Sequence, residues 1–365
     1  MPADPRPLDL LGLEPDVLLH ELERHFTARG QKAFRARQVA RWIFEGDARS
    51  IDEMTDLPVV ERAALEEHFV LREPEAETVA RSRDGTAKHL WRMHDGELVE
   101  SVLIPSGDRL TLCISSQAGC AMACTFCATG WGGFRRNLTA GEIVAQFRAS
   151  RRWAEENGYG PITNVVYMGM GEPLANREAV MASLTILNQG YRFGARRITV
   201  STVGVVPGIQ ELARRPEQFR LALSLHAPDE ALRRELIPLE KRWPLPVVMD
   251  ALREFDAAGG KRITFEYTMI DGVNDDPALA PRLAKMAREL GAFVNLIPFN
   301  PIPWQPDWGP SRADRIQQFA RVLESAGVDV AVREPRGRDI DAACGQLRAH
   351  ALVQVEDRRA ADSDA

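Results

Sequence analysis

The sequence predicts an α/β protein preceded by a small helical region. Two observations carry that expectation. From Leu110 onward, six short strand-like runs alternate with longer helical stretches, and the residues before Glu75 read as short helices with apolar residues at helical spacing. A third, Thr78 to Ile104, alternates apolar and polar residues and sets a strand meander between the two. The 365 residues agree with two to three domains.

Taken in order, Pro15 opens a helix carrying Val17, Leu18, Leu22 and Phe26; a second holds Val39, Trp42 and Ile43; a third runs near Pro58 to Phe69. In the meander, Asp84-Gly85 and Asp95-Gly96 predict two-residue hairpin turns. The six strands are expected at Leu110 to Ser115, Ile162 to Met168, Arg197 to Ser201, Phe219 to Leu225, Arg262 to Met269 and Ala292 to Pro298. After the first of them, Thr139-Ala140-Gly141-Glu142 reads as a capping box at the start of a helix. This alternation suits a closed barrel, a partial barrel or an open doubly wound sheet, and in all of these the site lies at the C-terminal strand ends. The expected boundaries are a helical domain at 1–75, a β meander linker at 76–105, the βα domain at 106–350 and a charged, small-residue tail at 351–365.

No apolar run approaches the ~20 residues that span a bilayer, and the first ten residues carry Asp4 and Asp9 where a signal peptide would be basic. A cytoplasmic protein with no membrane partner is expected. A net charge of −6 is not that of a protein that coats nucleic acid, although a local basic face is compatible with it. Five cysteines are too few and too uneven for a disulfide scaffold, and three of them fall within eight positions.

Those three, Cys120, Cys124 and Cys127, form a C-x3-C-x2-C cluster in a glycine-rich loop after a strand. Three thiolates so close together can hold three corners of an iron-sulfur cube and leave the fourth iron open for chemistry. Zinc with a fourth ligand such as Cys113 or a histidine is the other metal reading, and inert buried thiols the bland one. Gly169 and Gly171 follow a strand, so that backbone can approach a ligand closely, and Glu172 offers a carboxylate to an ammonium group; a tight turn is the plainer account. Ser201, the segment Ser224-Leu225-His226 and Asn300 sit at or just beyond strand ends, where they can bind a ribose or an adenine, although a lone histidine is more often a satisfied core residue. Cys113 and Cys344 stand apart from the cluster.

The C-x3-C-x2-C loop after the first strand of a repeated βα domain resembles the radical S-adenosylmethionine (SAM) enzymes. The segments Glu100 to Pro105, Gly169 to Leu174, Ser224 to His226, Asn295 to Pro301 and Asp341 to Leu347 are similar, in order, to the RlmN family. The resemblance implies a partial (β/α)6 barrel and a [4Fe-4S] cluster on Cys120, Cys124 and Cys127, whose open iron chelates SAM. Gly171, Glu172, Ser201, Ser224, Leu225, His226 and Asn300 would bind that SAM.

It further implies methylation of adenine carbon 2 in large-subunit ribosomal RNA and in some transfer RNAs, consuming two SAM per turnover. Carbon 2 is electron-poor and does not attack a methyl cation, so a covalent carrier is needed. By the same resemblance, the Cys344 thiolate takes a methyl from one SAM, and a radical made from the second abstracts hydrogen from it. Cys113 then attacks the Cys344 sulfur, forming a disulfide and releasing product, and Glu100 is the proton acceptor. The electron comes from a donor such as flavodoxin, and the N-terminal domain recognises RNA.

Lys32, Arg35, Arg37 and Arg41, beside Phe34 and Trp42, and Arg135 and Arg136 after the cluster loop are candidate phosphate contacts, with a solvated helix face as the alternative for the first group. Rival functions are the related carbon-8 methyltransferase, a zinc-holding RNA-binding protein without activity, and a radical SAM enzyme acting on a protein or small molecule.

Overall fold

The computed structural model describes residues 7–259 and 262–347. Strand β1 (Leu8–Asp9) is followed by α1 (Pro15–Ala28), α2 (Phe34–Phe44) and α3 (Val59–Glu66). Leu18, Leu22 and Phe26 of α1 and Val39 and Ile43 of α2 share one buried core, as the helical spacing predicts. Val17 and Trp42 lie outside it, Val17 exposed and Trp42 partly buried against it. The third helix stops short of Phe69, which instead opens β2 (Phe69–Val70), paired in parallel with β1.

Asp9 caps the turn after β1: one carboxylate oxygen accepts from Leu11 N at 3.1 Å and from Arg72 N at 3.3 Å. Burial pushes its carboxyl up to about 6 from an ordinary 3.8. As pH rises the unfolded chain therefore loses this proton first, and the contribution of Asp9 to stability falls between about pH 4 and 6 and is constant above. Asp9→Asn keeps an acceptor and removes the titration, so its urea midpoint should rise relative to the unsubstituted protein across that window. A difference that stays flat from pH 4 to 7 would refute this account.

The meander is β3 (Glu75–Arg81), β4 (Ala87–Arg92) and β5 (Leu98–Ser106), antiparallel throughout. Its turns are not two-residue turns. Gly85 N donates to Ser82 O while Ser82 N donates to Thr86 O, which encloses three residues, and Met93, Gly96 and Glu97 repeat the pattern. Gly85 and Gly96 take positive φ (85° and 88°) at the last loop position, where a type I turn needs a left-handed residue to rejoin the twisted strands.

The chain continues through β6 (Arg109–Cys113), β7 (Gln117–Gly119), α4 (Ala128–Trp131), β8 (Phe134–Asn137), α5 (Ala140–Glu156), β9 (Asn164–Tyr167), α6 (Arg177–Thr185), β10 (Ile198–Thr202), α7 (Val206–Ala213) and β11 (Arg220–Ser224). Then come α8 (Glu230–Leu236), α9 (Leu245–Ala257), β12 (Ile263–Met269), α10 (Ala280–Glu289), β13 (Phe293–Pro298), α11 (Ala313–Ser325) and β14 (Val330–Val332). All six expected strands form, and β14 adds a short seventh. The sheet order is β14-β13-β12-β11-β10-β9-β6-β5-β4-β3, parallel from β14 to β6 and antiparallel through the meander. Its two edges do not meet, so the βα part is a partial barrel and the meander extends the same sheet.

Strand alternation divides the barrel residues. Leu112, Val165, Val200, Leu223, Phe265 and Leu296 are fully buried in the apolar core. The intervening residues, Thr111, Thr199, Thr264 and Asn295 among them, line a cavity of about 600 Å³. The expected capping box starts α5: Thr139 Oγ1 accepts from Glu142 N at 3.1 Å and Glu142 Oε2 from Thr139 N at 2.9 Å. Further along α5, fully buried Arg148 donates to Ile43 O, Ala48 O, Glu73 and the Tyr191 hydroxyl, joining the N-terminal helices to the barrel. Among the described residues no helix is long and apolar enough to cross a membrane. The tail expected at 351–365 lies outside the described residues.

Candidate active site

The cysteine loop leaves the C-terminal end of β6 through β7, which pairs antiparallel with β8, so the loop is tied at its base; Cys120 N donates to Gly133 O at 2.9 Å. Cys124 packs with Ala227, Leu236, Ile270 and Phe299. Burial, and after it the neighbouring thiols, pushes Cys120 up to about 12 and Cys124 well above its ordinary value. Thiols so held ionise only against strong positive charge, which is what iron centres supply. The three cysteines stand at one wall of a cavity of about 150 Å³, and as a soft donor set on a closed loop they fit an iron-sulfur cluster.

The same cavity is lined by Gly171, Glu172, Ser201, Ser224, His226 and Asn300. Glu172 is buried; its carboxylate accepts from Leu174 N at 3.0 Å and Val203 N at 2.9 Å, and burial still pushes its pKa up to about 7. The glycines before it, Gly169 and Gly171, both line the cavity, and packing also demands them. A Cβ on Gly171 (φ 99°) would lie 2.5 Å from Gln117 Cβ, and one on Gly169 2.6 Å from Ile114 O, so no side chain fits at either position. Ser201 and Ser224 sit on adjacent strands with hydroxyls 3.5 Å apart.

His226, at φ 55°, accepts at Nδ1 from Thr268 N at 2.9 Å, which places its proton on Nε2; burial holds its pKa down at about 3, so the ring is neutral. Phe126 of the cysteine loop meets that ring edge-on at 4.4 Å. Leu225 differs: its side chain is in the core and does not reach the cavity.

Cys344 opens onto this cavity and onto the larger one inside the barrel, where Cys113 lies. Its loop is pinned on three sides. Gly345 O accepts from Ala128 N (2.7 Å) beside the cluster, and Cys344 O from Asn300 Nδ2 (3.2 Å). Asp339 accepts from Ser82 Oγ (2.6 Å) and Asp84 from Gly337 N (2.9 Å) at the first meander turn. Cys344 is an exposed residue, yet the protein packed around its sulfur raises the thiol while Arg333 pulls it down, and Cys113 is pushed to about 12 by burial. All five cysteines are free, so the disulfide expected between Cys113 and Cys344 is not formed in this structure. Glu100 is buried on β5, outside both cavities; Lys88 pairs with it at 3.1 Å and also donates to Asp341 O at 3.2 Å in the Cys344 loop.

Sequence reasoning missed Arg333, Glu266 and Lys88. Arg333 shares both cavities with Cys344, its charge acting on the thiol, and Glu266 stands beside it, with one carboxylate oxygen on Asn295 and the other unpartnered. The signal for Glu266 was present: an acid within a strand otherwise read as buried. Of the expected phosphate contacts, Arg136 is tied to Asp95 and Glu142, and Arg41 and Trp42 to Asp56. Lys32, Phe34, Arg37 and Arg135 remain exposed.

Comparison with known proteins agrees with this architecture. Residues 114–280 match the radical SAM superfamily, and residues 8–71 the ribosomal RNA large subunit methyltransferase N-terminal domain. The chain is 51% identical over 346 residues to the probable dual-specificity RNA methyltransferase RlmN of Gemmatimonas aurantiaca, covering 94% of each chain. It is 47% identical over 352 residues to the dual-specificity RNA methyltransferase RlmN of Anaeromyxobacter sp., covering 95% of this chain and 92% of the other. A crystal structure of a radical SAM methyltransferase from Sphaerobacter thermophilus superposes with a TM-score of 0.88 at 47% identity, covering 94% of this chain and all of that one. These matches favour the RlmN reading over the carbon-8 and zinc-protein rivals, and the chain belongs to the RlmN family of the radical SAM superfamily.

Proposed function

We propose that this enzyme methylates carbon 2 of adenine in large-subunit ribosomal RNA and in some transfer RNAs, with Cys344 as methyl carrier and Cys113 as the thiol that releases product. The observation that carries the reading is the position of Cys344 at the junction of two cavities, one shared with Cys120, Cys124 and Cys127 and the other with Cys113. The cluster, when bound, supplies the electron that cleaves SAM, two of which are consumed per turnover, and a donor such as flavodoxin supplies that electron in the cytoplasm.

This chain's residues hold and aim the reactants. Glu172, Ser201, Ser224 and Asn300 offer acceptors and donors to SAM, and neutral His226 offers its Nε2 proton. Arg333 stabilises the Cys344 thiolate, the form that accepts a methyl. Glu100 is the proton acceptor, held against Lys88.

The test is the mass of the tryptic peptide Asp339 to Arg348 from protein made with iron, beside a Cys120→Ala variant. A gain of one methyl on Cys344 supports the carrier role, and the variant shows whether loading needs the cluster. An unmodified peptide in cluster-replete protein after incubation with SAM would remove Cys344 from the mechanism.

A further inference from the structure

The lower end of the barrel cavity is built differently from its upper end. Arg109, Arg220 and Arg262 line it where β6, β11 and β12 begin, at the end of the strands away from the cysteine loop. Leu221 pairs with Ile263, so Arg220 and Arg262 precede adjacent partners on neighbouring strands. Among the described residues none of the three arginines makes an ion pair, and Arg262 lies over the Phe293 ring at 5.0 Å. Burial, and after it the nearby Arg262, Arg109 and Arg196, hold the Arg220 guanidinium below its ordinary value.

Five arginines and two glutamates line this cavity, in a chain whose net charge is −6. A cleft in which positive charge exceeds negative concentrates an anion there.

The cavity's length and other walls narrow the choice of anion. From Arg220 to Ser224 the strand rises roughly 13 Å, and Thr111, Thr199 and Thr264 offer hydroxyls along the way to Cys113 and Cys344. Ile104 and Ser106 of β5 line one flank and Ala331 and Val332 of the edge strand β14 the other, and the sheet does not close between them. An extended strand with phosphates at one end and a reactive base at the other suits this shape better than a lone phosphate ion.

We propose that Arg109, Arg220 and Arg262 bind phosphates of the RNA strand that flanks the target base, so that the strand lies along the open side of the barrel with its base at Cys344. This rests on the reading of RNA as substrate given above. Guanidinium groups fit phosphate oxygens two at a time, and such contacts position a strand without reading its sequence.

The test is binding of substrate RNA to cluster-loaded, full-length Arg220→Gln/Arg262→Gln enzyme, followed by fluorescence anisotropy across salt concentrations. The expected result is a Kd raised roughly tenfold at about 0.1 M salt and a slope of log affinity against log salt reduced by about 1.4, that is ~0.7 for each single-strand phosphate no longer neutralised. The mass of the methylated Cys344 peptide should be unchanged. Arg109→Gln, at an exposed strand start where folding is spared, should reduce the slope by about 0.7.

Unchanged affinity and slope in both variants would overturn the proposal. So would inorganic phosphate, titrated at constant ionic strength, binding the unsubstituted protein and not the variant while RNA binds both equally, because the site would then take the free anion. Since binding is the readout, a failure of the Cys344 carrier role leaves this test intact.

Discussion

Cys344→Ala should lose RNA methylation by about three orders of magnitude or more while keeping its iron, its sulfide and its capacity to bind SAM. The geometry separates the two effects. The thiol opens into the cavity and ligates nothing in the proposed cluster, whereas its loop is held by backbone and side-chain bonds that alanine leaves in place: Gly345 O to Ala128 N, Asn300 to Cys344 O, and Lys88 to Asp341 O. Carbon 2 of adenine does not attack a methyl cation, so without the carrier sulfur no lesser route remains. Cys113→Ala should differ in kind, since loading of Cys344 needs only Cys344; RNA would accumulate covalently on the protein, visible as a shifted band on a denaturing gel. Methylation by Cys344→Ala at even a tenth of the normal rate would sink the carrier reading.

Arg148→Ala should give the largest loss of stability of any single change considered, about 3–5 kcal/mol. The guanidinium is fully buried and donates to Glu73 Oε1 at 2.6 Å, Ile43 O at 2.7 Å, Ala48 O at 2.6 Å and Tyr191 Oη at 2.8 Å, with Asp47 at 3.2 Å. Alanine would leave two buried carbonyls without their donor, each costing more than the bond it lost, and would take one of their arginine partners from half-buried Glu73 and Asp47. Arg148→Lys should recover little, because one ammonium cannot reach acceptors arranged around a planar fork. A shift in urea midpoint worth less than about 1 kcal/mol would mean that water or Arg152, which also donates to Glu73 and Asp47, takes over.

Periodicity and caps made most of the fold legible. Leu18, Leu22 and Phe26 announced α1, and the box at Thr139 and Glu142 announced α5, because those signals are local and the tertiary structure has no reason to override them. What stayed hidden depends on contacts between distant residues. β1 and β2 are two residues each and exist only because they pair with one another. Phe69 reads as the end of a helix until that pairing is known.

The site divides in the same way. Cys120, Cys124 and Cys127 are legible from spacing, as a short loop must be. Arg333 is not, because what matters is its nearness to Cys344, and no pattern around Val330 to Val332 predicts it. Leu225 sits within a segment that does reach the site, yet strand alternation turns its side chain into the core.

The loop that presents Cys344 also fixes an order of assembly. Asp339 is held by Ser82, 257 positions earlier, and Thr129 donates to Leu347 O across 218 positions. On a ribosome that makes the chain from its N-terminus, the cysteine loop and the first meander turn emerge long before residues 337–347 exist. Until those last residues are released, a nascent chain can already hold its three cluster thiols together but has no carrier thiol to react with, so the reactive part of this site is the last to be put in place.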